Sequence, residues 1–68
     1  MNQSTLKGKW NEMKGKAREQ WGELTNDDID KVQGQHEQLV GVIQQRYGKA
    51  RDEVEREVTK WEERNGLR

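Results

Sequence analysis

The 68-residue chain has no cysteine, no proline and no phenylalanine, and only one serine, one histidine and one tyrosine. Without cysteine there is no disulfide staple and no thiolate metal site. The serine, Ser4, stands beside the terminus and reads as a helix cap. A nucleophile, a base and an orienting group cannot be assembled from this inventory, so no enzyme is expected and no catalytic residue is assigned. No apolar run reaches the ~20 residues of a membrane span, and no secretory signal is evident, which gives a cytoplasmic expectation. Large aliphatic residues are scarce: Leu, Ile and Val number eleven, and 28% of residues are hydrophobic. Such a composition borders on disorder. The formal net charge is zero, however, so the high net charge that completes the disorder signature is missing. The expectation is one small helical domain over residues 1–68 with a thin margin of stability.

What the chain does have is a glycine ladder. Gly8, Gly15 and Gly22 are seven residues apart, and so are Gly34, Gly41 and Gly48, 26 residues further on. Their neighbours repeat at the same displacement, Trp10 with His36, Met13 with Leu39, Ala17 with Ile43 and Trp21 with Tyr47. Two related helical halves follow, and with them a pseudo-twofold arrangement. Glycine inside a helix costs ~1 kcal/mol relative to alanine, so the ladder asks for a reason.

Apolar spacing predicts four helices. Leu6, Trp10, Met13, Ala17, Trp21 and Leu24 make one stripe with steps of three and four, begun by Ser4 or Thr5 as cap. At about 100° per residue, Gly8 and Gly15 lie opposite that stripe. Thr25 and Asp28 form a capping box with Asp in place of Glu or Gln, and Leu24 and Ile29 have the spacing of a hydrophobic staple. A short helix from about Asn26 to Val32 follows, with Gly22 at the preceding helix end. After a break at Gly34, His36, Leu39, Val40, Ile43 and Tyr47 share a face that ends at a left-handed Gly48. Val42 falls off that face and is expected to be partly exposed. Ala50, Val54, Val58 and Trp61 define the last helix, with Arg51 and Glu55 four apart on its outer surface. Asn65-Gly66 ends it, with Leu67 folding back on Trp61. The expected core is the first stripe with Ile29 and Val32, then Leu39, Val40, Ile43 and Tyr47, and finally Val54, Val58 and Trp61.

Several polar groups invite a chemical reading. His36 occupies the position of Trp10 in the repeat, which favours a packed, hydrogen-bonded histidine over a proton switch or metal ligand. The pairs Asp27-Asp28, Asp52-Glu53 and Glu62-Glu63 lack the spaced ligands of a calcium loop and read as solvated helix faces. The glycine spacing matches neither phosphate-loop fingerprint, and no cofactor or small-molecule substrate is implied. Charge is more informative. Residues 1–21 balance to +3, residues 22–38 to −4 and the remainder to +1. Lys7-Gly8-Lys9 and Lys14-Gly15-Lys16 repeat one heptad apart and, with Arg18, form a candidate face for anions or a partner. Nucleic acid or anionic lipid would bind it weakly and without sequence preference. The glycine faces or Val42 could instead dock another helix or a second copy, so monomer and weak homodimer both stay open. A hydrophilic protectant is the third reading, from high glycine, closely mixed charge and absent cysteine and proline.

The run Trp10, Lys14-Gly15-Lys16 and Glu19-Gln20-Trp21-Gly22-Glu23-Leu24-Thr25-Asn26-Asp27-Asp28 resembles the CsbD-like family of small bacterial stress proteins. So do Gly34-Gln35, Gln38-Leu39-Val40-Gly41, Gln45-Arg46-Tyr47-Gly48, Glu57-Val58 and Trp61-Glu62. The family usually carries one or two positive residues after the fourth glycine, where this chain has Gln35 and His36, which weakens a basic-surface argument for the second half. The resemblance implies a bacterial, non-enzymatic protein that accumulates under general stress. It also implies an all-α, four-helix fold similar to the SAM domain, two helical hairpins packed roughly orthogonally. No catalytic or binding residues come with it.

Overall fold

Helix punctuation accounts for most of the architecture. The computed structural model describes residues 3–67, with side chains from residue 6 onward. Among these residues the chain forms five helices and no strand: α1 (Gln3–Gly8), α2 (Trp10–Gln20), α3 (Asn26–Val32), α4 (His36–Tyr47) and α5 (Arg51–Arg64). The α2–α3 and α4–α5 pairs correspond to the two halves of the repeat.

The fifth helix arises where one was expected to be continuous. The first stripe breaks at Lys9, whose φ of −106° and ψ of 10° leave the helical region. The Lys9 amide donates to the Leu6 carbonyl at 3.2 Å, a three-residue closure that ends α1. Gly8 is therefore the last residue of α1, not an interior one. The physical reason lies at Gly34, far along the chain. A Cβ on Gly34 would stand 2.5 Å from the Lys7 Cα, so the backbone of α1 rests directly on a glycine. Bending at Lys9 brings α1 onto this spot while Leu6 and Trp10 stay buried on either side. The cap expected at Ser4 or Thr5 concerns side chains outside those described; both backbones lie within α1.

The second helix also stops sooner than its stripe. It ends at Gln20, and Leu24 is buried from the following turn. There Thr25 starts α3 as expected: its hydroxyl accepts from the Asp28 amide at 3.1 Å, and the Asp28 carboxylate accepts from the Thr25 amide at 3.0 Å. Leu24 and Ile29 are both buried beside this box, the staple that fixes the chain's entry angle. Gln33 and Gly34, with φ of 49° and 77°, turn the chain into α4. Gly48, φ 65°, closes α4 through a bond from its amide to the Gln44 carbonyl at 2.8 Å. At the end of α5 the Gly66 amide reaches Glu63 O (3.2 Å) and the Leu67 amide reaches Glu62 O (2.8 Å). With Gly66 at φ 72°, this is the Schellman pattern, and it returns Leu67 to the core.

One apolar cluster fills the interior, and it contains every expected core residue except Tyr47, which packs against it half-buried. Val42, expected to be partly exposed, is buried instead. Trp21 and Trp61 meet edge to face, with ring centroids 5.3 Å apart and planes at 63°. The radius of gyration, 10.6 Å, is close to the ~11 Å of a folded chain of this length.

Candidate interaction surface and polar clusters

The basic residues singled out in the sequence lie on α1, α2 and the bend between them. Lys7, Gly8, Lys9, Gly15, Lys16 and Arg18 are exposed and Lys14 is half-buried. The structure groups Lys14, Gly15 and Arg18 around an open depression of about 470 Å³, with Asn26, Ile29 and Asp30 on its far side. Lys16 points elsewhere. It lines a second depression of about 380 Å³ with Glu19, Gln20, Trp61, Arg64 and Asn65. The Arg18 guanidinium donates to the Asn26 side-chain carbonyl, a neutral partner. Among the described residues, Lys7, Lys9, Lys14 and Lys16 form no ion pair. The acidic α3 therefore does not neutralise them through direct contacts.

Acid and base pair elsewhere. Asp28, on the buried side of α3, is gripped by Arg46 of α4, Nε to Oδ2 at 2.6 Å and Nη2 to Oδ1 at 3.4 Å. The Arg46 guanidinium, followed by the Thr25 amide, holds the Asp28 carboxyl at a pKa of about 2. The N-cap of α3 is thereby tied to the second half of the chain. Asp28 is thus no part of a solvated face. Neither is Glu62, which is buried on α5 against His36. His36 Nδ1 lies 2.9 Å from Glu62 Oε2, and Nε2 lies 2.6 Å from Glu55 Oε1. The expected packed, hydrogen-bonded histidine is present, but with two carboxylates as its partners.

A third polar cluster crosses between the halves. The Trp21 indole N–H donates to Glu57 Oε1 at 3.3 Å, and the Lys49 ammonium donates to Glu57 Oε2 at 2.7 Å. Lys49 lowers the Glu57 pKa, and Glu57 in turn raises that of Lys49. Tyr47 Oη accepts from the Glu23 amide at 3.1 Å. The repeat partners Trp21 and Tyr47 thus each reach into the other half.

None of these pairs was proposed from the sequence. One was open to it. His36 and Glu62 both fall on apolar stripes, and two ionisable residues of opposite character at core positions need each other. Arg46 gave no such signal, because its position at the end of α4 suggests only a cation complementing the helix dipole. Among the described residues, no group of three or more His, Cys, Asp or Glu could hold a metal ion, and no helix is long and apolar enough to cross a membrane.

These features define a small all-helical protein with an internal apolar cluster and a charged exterior. The chain belongs to the CsbD-like family, whose model matches residues 4–56. It is 50% identical to the UPF0337 protein YjbJ of Salmonella typhimurium strain LT2 over 68 residues, which is 100% of this chain and 97% of the relative. The Escherichia coli K12 protein of the same name is also 50% identical, covering 100% and 99% of the two chains. A UPF0337 protein of Bordetella pertussis is 45% identical over 65 residues, 96% of this chain and 98% of the relative. No solved structure matches.

Proposed function

We propose that this is a non-enzymatic protein of the bacterial general stress response that works in the cytoplasm as a small hydrophilic protectant. The four longer helices would form two hairpins packed roughly orthogonally, in the SAM-domain manner, with α1 as an added arm. One observation carries the protectant reading. From residue 6 to 67 every Leu, Ile, Val, Met and Trp is buried, leaving Ala50 exposed and Tyr47 half-buried. Exposed apolar patches are where proteins stick. A chain with its large apolar side chains internal and mixed charges outside stays hydrated and can reach high concentration beside other proteins without associating. A labile enzyme taken through drying or freezing tests the idea. Activity recovered with this protein should exceed that with an equal mass of a neutral control protein; equal recovery ends the proposal.

A second reading is favoured by the cations of α1 and α2 that have no ion-pair partner among the described residues. Free lysines beside exposed glycines suit phosphate groups of nucleic acid or anionic lipid, bound weakly and in a salt-dependent manner. Gel-shift and vesicle sedimentation at low salt should then show binding that the Lys7→Gln, Lys9→Gln, Lys14→Gln, Lys16→Gln variant loses. No binding by the parent chain, or equal binding by the variant, removes this reading.

A further inference from the structure

We infer that His36 is a proton-gated clasp joining the start of α4 to α5, closed while its ring is doubly protonated and released as pH rises. This device is independent of the protectant reading. Its basis is a count of protons. His36 is 7% exposed and Glu62 3%, and both ring nitrogens lie within hydrogen-bond distance of carboxylate oxygens, at 2.9 and 2.6 Å. Ionised carboxylates only accept, and a neutral imidazole carries one N–H. Two contacts need two bridging protons, and with both carboxylates ionised the clasp holds an imidazolium. Removing one proton turns a lone pair on the ring toward a carboxylate at less than 3 Å.

The surroundings act in the same direction. Burial works against the charged ring, but the contacts with Glu55 and Glu62 outweigh it, and the His36 pKa is raised. Arg51, one turn before Glu55 on α5, reaches Glu55 at 3.6 Å and Glu37 of α4 at 3.5 Å, so it shares the acidic charge of Glu55. Among the described residues, no charged group of α1, α2 or α3 pairs with His36. Glu55 and Glu62 are two turns apart on α5, and the ring bridges them. Its protonation therefore bears on how the start of α4 lies along α5.

The direction with pH follows from linkage. The folded state binds the second proton more tightly than the unfolded chain does. The stabilisation is complete below the ordinary histidine value of about 6.5 and is lost as pH rises through the higher folded value.

The test is a nitrogen-15 titration of the His36 ring in the full chain, with thermal melts from pH 6 to 9. Both ring nitrogens should be protonated at pH 6.5, and the midpoint should lie above 6.5. Each unit of excess corresponds to a tenfold fall in the folding equilibrium constant across that interval. Glu55→Gln, at a partly exposed position, should lower the midpoint, and His36→Gln should flatten the alkaline slope of the melting temperature. A singly protonated ring at pH 6.5 overturns the proposal, as does an alkaline slope equal in parent and His36→Gln chains. Should His36→Gln fail to fold, Glu55→Gln decides, since an unchanged midpoint rejects the clasp.

Discussion

The α2–α3 and α4–α5 halves carry the same seven-residue ladder and hold it to different physical ends. Gly8 has open space where a Cβ would go, while its counterpart Gly34 lies against the Lys7 backbone in a left-handed conformation. Gly48 also has positive φ, and Gly22, its counterpart, does not. Where the first half buries the uncharged ring of Trp10, the second buries His36 against two carboxylates, one of them buried and one partly exposed. A shared spacing therefore preserves the path of the helices but not the job of each residue. Each half contributes a buried ionisable group, Asp28 in the first and His36 in the second.

The tryptophan at the end of α2 and the tyrosine at the end of α4 give the largest contrast. Trp21 is 3% exposed and packed edge to face on Trp61. Trp21→Ala removes that ring and the bond to Glu57, and should cost ~3–5 kcal/mol, enough to leave so small a domain largely unfolded. Tyr47→Ala gives up a half-buried ring and one hydrogen bond, and should cost about 2 kcal/mol. Urea unfolding of both variants measures the difference. Equal losses would show that the two anchors are energetically alike despite their burial.

The Gly8 and Gly34 pair sharpens the contrast on the backbone. Gly34→Ala forces a side chain into φ +77° and against Lys7, where α1 must shift. A loss of about 1–3 kcal/mol is expected, with exchange of the α1 amides speeding up. Gly8→Ala meets nothing within 4 Å and should stay within about 0.5 kcal/mol. Matching losses at both sites would mean that α1 does not rest on Gly34.

Next in size is the joint between the halves at the α3 cap. Thr25→Ala removes one side of the capping box and should cost about 1 kcal/mol. Asp28 adds an acid limb. Its folded pKa of about 2 lies below the ordinary value of 3.8, so its contribution is present above pH 4 and disappears as pH falls toward 2. Melts of the parent chain should fall through this interval, and Asp28→Asn should remove part of that slope while lowering stability at neutral pH. An unchanged acid slope in the variant would detach Asp28 from the effect.

Much of this structure was legible in the sequence, because helix ends and stripes are local. The capping box, the left-handed Gly48, the Schellman end at Gly66 and nearly all of the core follow from spacings of three and four. The break at Lys9 was not legible, because its cause is a contact with Gly34 far along the chain. The same holds for Arg46 on Asp28. A bidentate pair depends on how α3 and α4 are juxtaposed, and neither residue announces its partner. The basic face was legible as composition, whereas the separation of Lys14 from Lys16 onto different depressions depends on how α3 and α5 flank α2. Burial of Val42 is the same kind of miss, since it lies outside the narrow stripe on α4 and is covered only in the assembled fold.

Gly15 and Gly41 are the ladder positions at which the halves agree, and they yield the smallest effect. Both sit inside helices, exposed, with nothing within 4 Å of a built Cβ. Folding alone does not require glycine there. Gly15→Ala and Gly41→Ala should each raise stability by up to ~1 kcal/mol, read as a higher urea midpoint with an unchanged slope. If both gain, glycine at these sites is selected by something other than stability, and the Gly15→Ala chain becomes a sharp probe of it. Full polyanion binding by that stabilised variant would assign the attraction to the lysines alone, whereas lost binding would show that a ligand approaches the bare backbone of α2. No gain at either site would mean that the ladder has a structural role absent from its immediate surroundings.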